Sequence, residues 1–233
     1  GNLLSRMMKI LGGSFDGAKY KWLSANVVEN ATGRTLLPPY AIKTFNGVRV
    51  AFIGMTLKGT PLIVTPTGVA GLTFRDEAET VNALVPRLRA LGVETIVVLV
   101  HQGGFQNLPP VGSRPSDLPA LPPGTSLVNA NEINGCMNNL RSGTTKSDIE
   151  LVVDQLDDEI NIVISGHTHA AYNCSKNTVD VYGSRLNASP NTVSVLAQYP
   201  RQTGLPNKSG RLIPVTSASA FGRVITEIDV QID

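Results

Sequence analysis

Two short apolar runs, TIVVLV at residues 95–100 and INIVIS at 160–165, constrain this 233-residue chain more than any other feature. Each has the size of a buried strand and falls far short of the ~20 residues that cross a bilayer. A helical pattern precedes each run. In FRDEAETVNALVPRLRALGV, Ala78, Val81, Leu84, Val85, Leu88 and Leu91 follow helical spacing. Asp76, Glu77 and Glu79 crowd its first turns and Arg87 and Arg89 its end, as the helix dipole favours, and Gly92 is placed to cap it. Pro86 predicts a kink. The second helix, SDIELVVDQLDDE, opens on a capping box of Ser147 and Glu150. Helix, strand, helix, strand argues for the α/β class, with parallel pairing allowed and ligands expected at the carboxyl ends of the strands.

Other elements are legible around these. WLSANVV (22–28) reads as a short strand, and AIKTFNGVRVAFIGMT as a hairpin turning on Asn46-Gly47. Near the C-terminus, Val224, Thr226, Ile228, Val230 and Ile232 alternate with Arg223, Glu227, Asp229 and Gln231, which predicts a half-exposed strand. Two long polar stretches, 102–146 and 173–210, exceed the usual connection of ~4–6 residues and so read as functional or partly disordered. The whole of 1–233 is expected to form a single domain.

The chain has three histidines, and each lies just past one of the two apolar runs. His101 follows TIVVLV; His167 and His169 follow INIVIS in the segment VISGHTHAAYNC. If the two strands are parallel neighbours, all three imidazoles reach one edge of the sheet. In extended backbone His167 and His169 would face the same side. Neutral imidazole is a common ligand for Zn, Mn, Fe, Ni or Cu. The alternative is three ordinary hydrogen-bonded histidines, and spacing alone leaves both open. Gly103 and Gly104 do not by themselves make a phosphate cradle. Tyr172 and Phe221 have the chemistry to stack on a base and Arg223 to meet a phosphate, but packing and solvation are the simpler readings.

Composition removes several function classes. Net charge is +2 and charged residues make up 16% of the chain, so no basic patch calls for nucleic acid. The start, GNLLSRMMKI, lacks the apolar centre and cleavage site of a signal peptide and begins with Gly1, which reads as a processed, trimmed or tagged start.

GHTHAAYNC, VVLVHQGG, WLSANVV, NGVRVAFIGMT and GRLIPVTSASAFGRVITEIDV together resemble the 5′-nucleotidase branch of the calcineurin-like metallophosphoesterases over about residues 20–233. The resemblance implies a β-sandwich flanked by helices with two divalent metal ions (Zn, Mn or similar) at the sheet edge. It implies that His101 and His167 bind one metal and His169 the other, and that the chemistry is hydrolysis of a nucleotide or other phosphoester. Two metals ~3.5–4 Å apart would activate a water for in-line attack.

The departures from the pattern matter equally. The family's D-x-H, G-D and G-N-H-[ED] motifs, which supply a bridging aspartate, an asparagine ligand and the catalytic histidine, have no counterpart here. The one G-N, Gly1-Asn2, is followed by Leu3. The chain therefore reads as the C-terminal two-thirds of a catalytic domain, without an N-terminal segment and without the C-terminal specificity domain. Weak or partial metal binding, and little or no activity of the chain alone, follow from that reading. Its catalytic residue stays unassigned. A non-catalytic module retaining the scaffold, or a cyclic-nucleotide or nucleotide-sugar hydrolase of the same family, are the competing readings.

Each long polar stretch carries one cysteine, Cys136 and Cys174, in polar surroundings. A disulfide between them would tie the two stretches at the rim of the site, in agreement with the resemblance; two free thiols are the alternative. Metal binding by the pair is disfavoured because C-x-x-C spacing is lacking. A bridge implies an oxidising compartment, so a periplasmic or secreted protein is expected.

Overall fold

The structure, a computed structural model, describes residues 18–104, 136, 146–176, 202–222, 224–228 and 230. Its centre is a six-stranded mixed sheet. β1 (Val27–Glu29) lies outside it and pairs antiparallel with β4 (Leu72–Phe74). β2 (Tyr40–Phe45) and β3 (Val48–Met55) form the expected hairpin, with Asn46 at φ 49° and Gly47 at φ 91° supplying its left-handed turn. β5 (Thr95–Val100) lies parallel to β3 on one side and to β6 (Ile160–Ser165) on the other. β7 (Ala171–Asn173) is followed by three two-residue strands: β8 (Ser175–Lys176), β9 (Gln202–Thr203) and β10 (Leu205–Pro206). β11 (Leu212–Ile213) and β12 (Val215–Ala218) close the series. The main sheet runs β2-β3-β5-β6-β12-β7, while β8 pairs with β9 and β10 with β11.

Helix α1 (Glu77–Ala90) begins where Asp76 accepts the Glu79 N–H at 3.1 Å and runs on through Pro86. It ends as the sequence predicts. Gly92, at φ 72°, donates to Arg89, and Val93 donates to Leu88, a Schellman cap that consumes two orphan carbonyls. Helix α2 (Asp148–Val153) carries the predicted capping box of Ser147 and Glu150. It is shorter than its sequence pattern. Asp157 and Asp158, which the pattern places in the helix, instead hold Lys208, Asn207 and Ser209 of the β10–β11 turn.

Both helices cover one face of the sheet. Ala78, Val81, Val85 and Leu88 of α1 and Ile149, Val152 and Val153 of α2 join Ala51, Ile53, Ile96, Val98, Ile160 and Val163 in one buried cluster. Full burial of each of these Val, Leu and Ile side chains contributes roughly 1.5–3 kcal/mol. The opposite face is also apolar, with Val50, Val97 and Ile162 buried and Val48, Phe52, Leu99 and Ile164 packed around them. A groove of about 510 Å³ lies over it, with Ile228 and Val230 on its far wall.

Two sequence expectations change here. The segment 22–28 becomes a strand only from Val27. Its earlier part is held by Asn26, which takes the Thr56 N–H and donates to the Thr56 and Arg75 carbonyls. The alternating segment 224–232 is not a strand in its described part, residues 224–228 and 230, and pairs with none of the described strands. Alternation shows that one side of a segment has something to cover; a ladder partner is a separate requirement. Both sides of β12 are taken, by β6 and β7. Most of the stretches 102–146 and 173–210, together with Asn2 and Arg223, lies outside the described residues.

Candidate functional site

The site grows from the parallel register of β5 and β6. Val100 pairs with Ser165, so the residues that follow, His101 and Gly166, emerge side by side at the carboxyl edge. The β6 ladder carries one extra residue, Asn161, whose side-chain carbonyl accepts the Ile96 N–H at 2.9 Å and so absorbs the bulge. The His101 N–H continues the ladder to the Met55 carbonyl at 2.9 Å.

The loops that follow the two strands are pressed together. A Cβ at Gly103 would stand 2.2 Å from the Gly166 carbonyl oxygen, and one at Gly104 2.0 Å from the Cys136 carbonyl oxygen. Close backbone approach is thus what these glycines provide. The Gly166 N–H donates to the Gln102 carbonyl, and the Thr168 hydroxyl donates to the Gly104 carbonyl at 2.6 Å.

His167 and His169 do not continue the strand. They adopt φ of 70° and 61°, left-handed values that cost a non-glycine residue roughly 1 kcal/mol or more. The extended alternation expected from H-x-H therefore does not apply. The His167 ring turns to His101, with His167 Nδ1 3.3 Å from His101 Nε2 and ring centroids 5.0 Å apart. The His169 ring lies edge-on to Phe221, centroids 5.4 Å apart, and its carbonyl accepts from Ser219. Burial, and then the neighbouring His167 and His169, hold the His101 pKa below the ordinary imidazole value. His101 is accordingly poised to be neutral, the form that offers a lone pair.

The nitrogen–nitrogen distance bears on what the pair can hold. At 3.3 Å it is long for N–H···N hydrogen bonding. Two nitrogens bound to one cation at about 2.0–2.1 Å in tetrahedral geometry stand about 3.3 Å apart. Two imidazole nitrogens supply at most two of the four positions of such a cation. Among the described residues, no three His, Cys, Asp or Glu side chains gather as a metal set.

Cys136 and Cys174 form a disulfide, with Cα atoms 5.2 Å apart. Both cysteines are fully buried within the main cluster, although their sequence surroundings are polar. Tyr172 also belongs to the core, whereas Phe221 is 80% exposed.

No family profile matches the chain. Individual relatives do. It is 36% identical over 104 residues to an endonuclease, YhcR, of Bacillus subtilis, a match covering 45% of this chain and 8% of that protein. It is 32% identical over 101 residues to a 5′-nucleotidase of Vibrio cholerae, covering 43% of this chain and 18% of the relative. Against a snake venom 5′-nucleotidase of Gloydius brevicauda the match extends over 93% of this chain at 26% identity. Over these stretches the chain is similar in sequence to 5′-nucleotidases. The chain spans about a quarter or less of the relatives named here, 27% in the longest match. A 5′-nucleotidase precursor of Thermus thermophilus is similar in structure over 93% of this chain and 30% of its own, at 20% identity and a TM-score of 0.49. Among the described residues, no helix is long and apolar enough to cross a membrane.

Sequence reasoning placed all three histidines at the correct sheet edge but did not find what holds them. The two glycines, the Thr168 hydroxyl and the buried Tyr172 carry no motif of their own. The only advance signal was the glycine pair one residue beyond a strand-end histidine.

Proposed function

We propose that this chain carries one side of a metal-dependent phosphoester-hydrolysing site of the 5′-nucleotidase type. In this reading His101 Nε2 and His167 Nδ1 hold one divalent cation, such as Zn or Mn, and His169 serves a second. The observation that carries the reading is the 3.3 Å separation of those two nitrogens at the carboxyl ends of adjacent parallel strands. When bound, such cations supply positive charge to phosphoryl oxygens and lower the pKa of a water. The chain's own residues set the stage for that chemistry. Partial desolvation lowers the His101 pKa, which favours the neutral ring, and the left-handed turn at His167 aims its ring across the gap.

The substrate class follows from the relatives' names. An endonuclease and 5′-nucleotidases share attack on a phosphate ester of a nucleotide, and a nucleoside monophosphate is the substrate proposed here. A buried disulfide supports a periplasmic or secreted location. Two imidazoles without a carboxylate leave a cation half-coordinated, so the chain alone should bind weakly and turn over little.

The test is Zn²⁺ and Mn²⁺ titration calorimetry on the purified chain and on His101→Ala, His167→Ala and His169→Ala, alongside phosphate release from a nucleoside monophosphate. One weak site lost in the first two variants, with negligible phosphate release, is expected. Isotherms unchanged in both His101→Ala and His167→Ala would overturn the metal reading. Robust turnover by the chain, abolished in His167→Ala, would overturn the expectation of low activity.

A further inference from the structure

We propose that Tyr172 is a positioning residue for the imidazole pair: its buried hydroxyl clasps the loop bearing His101 to the loop bearing His167. This deepens, and rests on, the reading of those two histidines as the working pair.

Tyr172 lies on β7 opposite Ser217 of β12, at the far end of the segment that begins with His167. Its side chain is 2% exposed and reaches back across the sheet edge. Its hydroxyl meets the Gly104 N–H at 3.0 Å and Ser165 Oγ at 2.6 Å. Ser165 gives its single proton to the Thr216 carbonyl at 3.1 Å. With Ser165 donating to Thr216, Tyr172 accepts from the Gly104 N–H and donates to Ser165.

The peptide units flanking Gly104 are therefore gripped on both sides. The N–H goes to Tyr172 and the C=O to Thr168, and both partners sit on the segment after β6. Gly104 is three residues beyond His101, and Thr168 directly follows His167. These two bonds tie the far end of the His101 loop to the His167 loop. Phenylalanine at 172 would keep the ring and its packing while leaving the Gly104 N–H without its acceptor.

The experiment uses the full chain and its three histidines, which give a simple imidazole proton spectrum. In metal-free protein the His101 and His167 rings should show a cross-relaxation peak. Co²⁺ titration, followed by its visible absorption, reports the pair as ligands. Tyr172→Phe is expected to unfold cooperatively, lose the ring-to-ring peak and bind Co²⁺ about tenfold or more weakly, within the range seen for outer-sphere partners of ligating histidines. Thr168→Val should act in the same direction. Leu88→Ala, which weakens the core under α1 far from the loops, should keep both signals at equal or greater loss of thermal stability. Retention of the peak and of full Co²⁺ affinity in Tyr172→Phe overturns the proposal, as does equal loss of the peak in Leu88→Ala. Should the unsubstituted chain show the peak, lose it in Tyr172→Phe and take up no Co²⁺ at all, the positioning role stands and the metal reading alone falls.

Discussion

The Gly166 carbonyl oxygen lies 2.2 Å from where a Cβ on Gly103 would stand. This nearest obstacle is backbone, so it cannot swing away like the end of a flexible side chain, and Thr168 Oγ1 stands 2.5 Å from the same point. Gly103→Ala should destabilise by about 1–3 kcal/mol, the range for overpacking. It should also weaken Zn²⁺ binding, because the shift needed to relieve the clash separates the two histidine loops. Denaturant unfolding with a parallel Zn²⁺ titration checks both, and a fully stable, fully binding variant would show that the loops slide freely.

His167 occupies a left-handed conformation at φ 70°. Glycine accepts that conformation without steric cost. His167→Gly should therefore raise stability, or leave it level within a few tenths of a kcal/mol, while abolishing cation binding. A drop of more than about 1 kcal/mol on thermal unfolding would mean that the imidazole contributes structural contacts beyond those described, against the strain argument.

Cys136 and Cys174 are 38 residues apart in sequence, and both are buried. The loop-entropy account gives about 3–4 kcal/mol of stabilisation for a bridge of this span. The double variant Cys136→Ser, Cys174→Ser should lose that much, and a hydroxyl buried without a partner adds to the loss. Comparison of its urea midpoint with that of the oxidised chain gives the figure. Thiol titration of the denatured, unreduced protein should find no free thiol.

Lys208 donates to Asp157 at 2.7 Å, and that hydrogen bond, with the Glu159 N–H, holds the Asp157 carboxyl below its ordinary pKa. A depressed carboxylate stabilises the fold above the unfolded pKa, near 3.9, and loses that contribution as pH falls through the folded value. The groups are largely solvated, so the effect should stay below about 1 kcal/mol. Asp157→Asn should cost a few tenths of a kcal/mol at pH 7 and less at about pH 3, below the unfolded pKa. Chemical denaturation at the two pH values decides it; a deficit that is constant with pH would remove the ion pair from the account.

Much of the scaffold was legible because it depends on local physics. Asn46-Gly47, Gly92, and Ser147 with Glu150 each announce a turn or cap through backbone preference and short-range hydrogen bonding. The apolar runs 95–100 and 160–165 announce buried strands, and their histidines inherit one sheet edge from the parallel register. Where a pattern needed a distant partner, it misled. Residues 224–228 alternate like a strand but find no ladder, and the second helix stops early because Asp157 and Asp158 bind the turn at 207–209.

Sequence by itself determined the α/β order, the caps, and the strand ends that carry His101, His167 and His169. Only tertiary structure decided that His167 turns onto His101 while His169 turns onto Phe221. It also buried two cysteines from polar surroundings and made Tyr172 a link between loops. The physical reason is range. Propensity and periodicity act over a few residues, whereas a left-handed histidine, a glycine squeezed against a carbonyl and a phenol 68 residues from its donor exist only once the strands have been laid side by side.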